Sequence, residues 1–246
     1  VSDEERARSD LKVPFEHWPD QKAITGRLVS NYSKLLGITI DGEEMDYLLW
    51  NVIDVRATFA DASMKPNVEH LCLAALSLEG ATPELLSANW DPLIERALAD
   101  LTDSNQALSP TVVARPSDLQ LPRNKTRLIK FHGCAVKATE QPGDYRKWLV
   151  ATHDQVVGWC TEISNKGLVT ALTHIVGTKP TLMLGLSAQD VNIQAIFNEA
   201  ANQLIAAGYT RVYNVVDGLD GDHGPDGRRD VNGWKKAGLP WNHWIE

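Results

Sequence analysis

Three short stretches place reactive side chains at the ends of apolar runs. Asn89-Trp90-Asp91 follows "ELLSA", His132-Gly133 follows "RLIKF", and Gly185-Leu186-Ser187 closes "TLMLGL", with Asp190 three residues on. A histidine titrates near neutral pH and can act as a base. An amide, an indole and a carboxylate in a row mark either a helix cap or the lip of a site. Each stretch also has a plain reading. Asp91 before Pro92 is sound capping chemistry, because a carboxylate accepts orphan N–H groups and proline suits a first helical turn. Asp190 can cap in the same way. A lone histidine is commonly a satisfied, partly buried one, and Gly-x-Ser alone is a turn.

The elements that must position these residues follow from hydrophobic periodicity. Ile24, Leu28, Tyr32 and Leu35 are spaced for one helix between Pro19 and Leu36. "GEEMDYLLWNVIDVRATFAD" predicts a second, through Met45, Leu48, Leu49, Val52, Ile53 and Phe59. "NVEHLCLAALSLEG" predicts a third, closed by Gly80. Beyond it the character changes. "ELLSA", "TVVAR", "RLIKF", "TLMLGL" and "RVYNVV" are strand candidates, and "WLVA" is ambiguous. Helices are expected from Pro92 to about Leu101, at roughly 152–164 and 167–176, and from Asp190 to Ala207 ahead of Gly208. Strands alternating with helices predict an α/β fold: a mostly parallel sheet with helices on both faces, preceded by a helical segment. Ligands of such sheets bind beyond the carboxyl ends of the strands, where the three stretches fall.

The 246 residues suit one large domain or two small ones, and 43% hydrophobic content suffices for a real core. A formal net charge of -8 argues against a phosphate-tracking, nucleic-acid-binding protein. No apolar run approaches a membrane span, and the charged start "VSDEERARSD" is no signal peptide. Cys72, Cys134 and Cys160 are scattered and odd in number, which fits a reducing, cytoplasmic setting without a disulfide framework or a C-x-x-C metal site. "DGDHGPDG" lacks the spacing of a calcium loop and is expected to be a solvated turn cluster, so no metal is expected. Most of the eight tryptophans are expected to pack in or beside the core; Trp90, between Asn89 and Asp91, is the exception to test. Cys134, two residues after His132, would share its face as a nucleophile candidate if the strand ran on, but a buried, inert thiol is the expected reading.

Taken in order, the strand-end Asn-x-Asp, the His-Gly and the Gly-x-Ser resemble the sirtuin family. "LEGATPELLSANWDPLIE", "LIKFHGCAVKA" and "TLMLGLSAQDVNIQAIF" look like the bacterial sirtuin-like proteins, several of which destroy NAD in antiphage defence. The resemblance covers about residues 40–200. It implies a Rossmann-like core that takes NAD as a substrate. Asn89 would lie beside the nicotinamide ribose, His132 would act as base on a ribose hydroxyl, and Gly185 and Ser187 would line the dinucleotide. Cleaving the glycosidic bond generates an oxocarbenium-like ribose. A neutral amide can place a water there without quenching the cation, and Asp91 can favour the developing charge. Asp190 would orient a hydroxyl, and Asn214 or Asp217, around "RVYNVV", would approach an adenine ribose.

Two departures shape that expectation. Peptide-deacetylating sirtuins carry a four-cysteine zinc module between the His-Gly and Gly-Ser motifs, where this chain has Cys134 and Cys160 alone. Hydrolysis of NAD to nicotinamide and ADP-ribose is therefore the expected form of the activity. The family's first strand also ends in a Gly-Ala-Gly phosphate loop. No counterpart is found here, since "ITGRLVSNYSK" has one glycine and helical periodicity. Either the chain starts downstream of that strand, consistent with a first residue other than Met, or the fold closes without it and holds NAD poorly. A glycine-rich strand within residues 1–40 would overturn this reading.

The last 45 or so residues, "AANQLIAAGYTRVYNVVDGLDGDHGPDGRRDVNGWKKAGLPWNHW", resemble instead the end of a rhodanese domain. Rhodaneses transfer sulfur through a cysteine placed in the loop before this helix. Here that loop is "GLSAQDVN", with no cysteine. The expected division is a helical N-terminal part (1–81), a sirtuin-like core (82–216) and a rhodanese-like tail (217–246). The alternatives to NAD hydrolysis are a catalytically inactive nucleotide- or partner-binding module, from a truncated or composite chain, and a sulfurtransferase remnant. The expected partner is the small molecule NAD, and the sequence leaves a homo-oligomer open.

Overall fold

Leu85, Leu128, Ile129 and Val113 are all buried, and they belong to three short strands that form a parallel sheet. The computed structural model describes residues 14–17, 20–182, 184 and 191–208, and all structural statements concern these. The strands are β1 (Glu84–Ser87), β2 (Thr111–Val113) and β3 (Arg127–Lys130), in the order β1-β3-β2. Glu84 pairs with Arg127 and Ser87 with Lys130; Thr111 also pairs with Arg127 on the other side. All three carboxyl ends therefore point the same way.

Alternation along β3 assigns its two faces. Ile129 and Phe131 join a core with Trp159 and with Leu168, Leu172, Ile193 and Ile196. The last four belong to two packed helices, Lys166–Thr178 and Val191–Ala206. Thr126 and Lys130 face the other way. Thr126 Oγ1 lies 2.7 Å from Ser77 Oγ of the helix Val68–Leu78, and the Lys130 ammonium meets Glu95 of the helix Leu93–Leu101. Ala74, Ala97 and Leu98 close the interface between those two helices. The sheet is thus covered on both faces, which explains why each strand has two adjacent apolar residues at its centre, Leu85-Leu86, Val112-Val113 and Leu128-Ile129, rather than a strict alternation. Each fully buried Leu or Ile contributes about 2 kcal/mol.

In chain order the α-helices are α1 (Gln21–Ser30), α2 (Tyr32–Leu36), α3 (Val55–Phe59), α4 (Val68–Leu78), α5 (Leu93–Leu101), α6 (Ala135–Glu140), α7 (Pro142–Tyr145), α8 (His153–Gly158), α9 (Lys166–Thr178) and α10 (Val191–Ala206). The sheet is preceded by helical segments, as expected, but they are shorter than the periodicity predicts. The first expected helix is broken at Asn31 into α1 and α2. The second is a π-helical turn, Leu48–Val52, and α3. Asp54 separates them at φ 53°, with its carboxylate accepting the Ala57 N–H. Met45, Val52 and Ile53 are exposed, so only Leu48, Leu49 and Phe59 of the apolar pattern that suggested one continuous helix reach the core. α4 ends as expected, with Gly80 at positive φ. "WLVA" is no strand; Trp148 ends a 3-10 turn, and the Val150 N–H donates to the His132 carbonyl at 3.0 Å.

The described part of residues 1–40 is helical and contains no strand. "RVYNVV" lies outside the described residues, as do Met183, Gly185 and Leu186 of "TLMLGL"; the described Thr181, Leu182 and Leu184 form no strand, and both leucines are exposed. No helix among the described residues is long and apolar enough to cross a membrane.

Candidate functional site

The β1–β3 register fixes the geometry of the candidate site. The last ladder bond runs from the Phe131 N–H to the Ser87 carbonyl, at 3.2 Å. Since Ser87 stands opposite Lys130, Asn89 and His132 leave neighbouring strands two residues later on the same edge of the sheet. Asn89 is exposed, and its N–H donates to Ser87 Oγ at 3.0 Å, which turns the chain out of the strand. Beside this exit a cavity of about 560 Å³ opens, lined by Leu86, Ala88 and Asn89, by Phe131, and by Leu172 and Ile193 of α9 and α10. That volume falls in the range of small-molecule sites.

His132 is 6% exposed. Its ring meets Phe131 edge-on, with centroids 4.6 Å apart, and Trp159 at 6.1 Å. Its Nε2 lies 3.3 Å from Nδ2 of Asn192, which is 1% exposed in the first turn of α10. Sequence reasoning looked to Asp190 at this helix start and passed over Asn192. The only available signal was a polar residue just before the buried Ile193.

Gly133 allows the turn after His132. It has φ 95°, and a Cβ there would come within 2.6 Å of the Trp148 carbonyl oxygen. This turn bears out the buried, inert thiol expected at Cys134 and removes the face it would have shared with His132. The strand does not continue, so Cys134 packs with Ala135, Tyr145 and Leu149 in a separate cluster from that around His132. Burial pushes its thiol up, against the pull of the Lys130 ammonium.

Asp91 caps. Its Oδ1 accepts the N–H of Leu93, the first residue of α5, at 3.1 Å. Trp90 packs edge-on against Phe59, with centroids 5.1 Å apart, and its carbonyl accepts the Ala135 N–H at 3.0 Å. Lys130, 1% exposed, reaches under this turn to the carbonyls of Trp90 and Asp91 and to Glu95 Oε1. The indole between Asn89 and Asp91 is thus a packing anchor.

A second polar centre, unforeseen in the sequence, stands past the end of β2. Asp118 is 3% exposed and accepts from the Ala114 N–H, Arg115, Lys137 and the Tyr145 hydroxyl. Burial would raise its carboxyl, but these donors together hold it below the usual carboxylate range. All its partners are internal, so it braces the loop after β2 against α6 and α7. Gly185, Ser187, Asp190 and Asn214 lie outside the described residues. Among the described residues, no group of three or more His, Cys, Asp or Glu side chains could hold a metal ion.

A family model described as the SIR2-like domain matches residues 83–222. No curated protein matches the chain. The family match opens at Pro83, just ahead of β1, rather than near residue 40. It also runs through residues 200–222, where the rhodanese-like stretch begins, and no match supports that second resemblance. With more than half its length in that match, including the Asn89 and His132 strand ends, the chain belongs to the SIR2-like domain family.

Proposed function

We propose that this domain binds NAD at the carboxyl edge of the sheet and hydrolyses it to nicotinamide and ADP-ribose. The observation that carries the reading is the exit of Asn89 and His132 from adjacent strands onto one edge, with Asn89 lining a cavity there and His132 buried behind Phe131 outside its lining. The bond broken joins the ribose C1′ to the nicotinamide nitrogen, and its electron pair leaves with neutral nicotinamide. A water oxygen bonds to C1′ and its proton is released. Asn89 places that water or steadies the electron-poor ribose. His132 holds a ribose hydroxyl proton while positive charge develops. The Asp91 carboxylate adds a favourable field while capping α5. Gly185, Ser187, Asp190 and Asn214 would complete the dinucleotide site.

A catalytically inactive nucleotide-binding module is the second reading. It draws on the deep burial of His132 and its contact with Asn192, both of which also suit a purely structural histidine. A sulfurtransferase role would need a reactive thiol, whereas the Cys134 thiol is buried and pushed up.

Nicotinamide release from NAD by the folded chain separates these readings. Release lost in both Asn89→Ala and His132→Ala, with circular dichroism unchanged, supports hydrolysis. NAD binding by folded protein without release favours the inactive module.

A further inference from the structure

Asn192 is a nearly fully buried amide in the first turn of α10, among the apolar residues that hold α10 against α9 and the sheet. The burial of Ile193, Ile196 and Ala200 fixes the register of the helix. Ala200 also sits 3.7 Å from where a Cβ on Gly177 of α9 would lie. The Cys160 thiol lies 3.6 Å from the Asn192 backbone carbonyl and so approaches the same turn from α8's side of the core. The amide is therefore carried on rigid structure, as is His132, whose own carbonyl accepts the Val150 N–H. A buried amide costs free energy unless it is hydrogen-bonded, so this contact is a specific one.

We propose that Asn192 is a positioning residue, which keeps Nε2 of His132 the unprotonated, basic nitrogen. An amide nitrogen only donates. With Nδ2 facing Nε2 at 3.3 Å, Nε2 accepts and the single proton of the neutral ring sits on Nδ1. The contact is long for a hydrogen bond, so it biases the ring without sealing the lone pair. A substrate hydroxyl arriving at Nε2 takes over from the amide, and its proton passes to a nitrogen already held in the basic form. The catalytic part of this inference rests on the NAD-hydrolysis reading; the tautomer part does not.

The test is the 15N NMR spectrum of histidine-labelled protein, with the His132 signals assigned by their loss in His132→Gln. The wild-type ring is expected as one tautomer, protonated at Nδ1. Asn192→Asp substitutes a carboxylate, which only accepts, and should move the proton to Nε2. Asn192→Leu, of similar volume, should give a mixture. Ring nitrogens that are the same in wild type and both variants would overturn the proposal, as would a wild-type ring protonated at Nε2. In nicotinamide release, Asn192→Asp should lower kcat by about a hundredfold with KM within about threefold, as expected for a misplaced catalytic group. A tautomer that responds to Asn192 in a protein that releases no nicotinamide would uphold the positioning role and remove the hydrolysis reading.

Discussion

Lys130, the last residue of β3, donates to the main-chain carbonyls of Trp90 and Asp91 just past the end of β1. The third donor of its ammonium meets Glu95 Oε1 at 3.0 Å. A buried ammonium with all three donors engaged fixes the turn that presents Asn89. It also joins the two strand ends by a side chain where ladder bonding has stopped. Removing it strands the partly buried Glu95 carboxylate and two carbonyls. Lys130→Met is expected to cost about 3–5 kcal/mol in urea unfolding. Lys130→Met with Glu95→Leu should recover part of that loss, and a double variant no more stable than the single would refute this account.

Asp118 gives the fold an acid-side dependence. Its carboxyl is held below the usual range when folded, so the unfolded chain takes up its proton more readily. The stability it contributes is complete above the ordinary carboxylate value of about 4 and is lost as pH falls through the lower folded value. Asp118→Asn should cost about 3 kcal/mol at pH 7 and should flatten the decline of the urea midpoint below about pH 4. An equally steep decline in the variant would assign it to other carboxylates.

Gly133→Ala tests the turn behind the candidate base. The positive φ and the 2.6 Å approach to the Trp148 carbonyl both oppose a side chain. A cost of about 2–3 kcal/mol is expected from thermal melts.

The three thiols should differ in reactivity. Cys72 is exposed, Cys160 intermediate, and Cys134 buried with its thiol pushed up. A thiol reagent at pH 8 should modify Cys72 first and reach Cys134 only on unfolding, as followed by mass spectrometry. Early labelling of Cys134 would contradict the packing against Leu149.

The core elements were legible because their burial is local and periodic. "ELLSA" and "RLIKF" are short apolar runs ahead of polar exits, and they became β1 and β3. Gly80 marked the end of α4 through its positive φ. The strand-end position of Asn89 and His132 followed from the same pattern. The front misled because Val52 and Ile53 have helical spacing yet point to solvent, while Asp54, an aspartate in the left-handed region, cuts the run. Asn192 and Asp118 were not legible because their partners lie far away in sequence. His132 is some sixty residues from Asn192, and Tyr145 nearly thirty from Asp118. Lys130 looked like a polar strand residue, and only the arrangement of carbonyls in space shows why it is buried.

The order β1-β3-β2 also has a consequence during synthesis. Among the described residues β1 and β2 share no ladder, and each pairs with β3, the last of the three to leave the ribosome. Glu84 must wait for a partner roughly forty residues downstream, so no early hairpin can shelter it. Pairing of β1 is expected to be the slow step, because it closes a much longer loop than the pairing of β2 with β3. Until Arg127–Lys130 emerges, both earlier strands present bare, apolar edges to the cell, and a nascent chain stalled near residue 125 would be a strong client for chaperones.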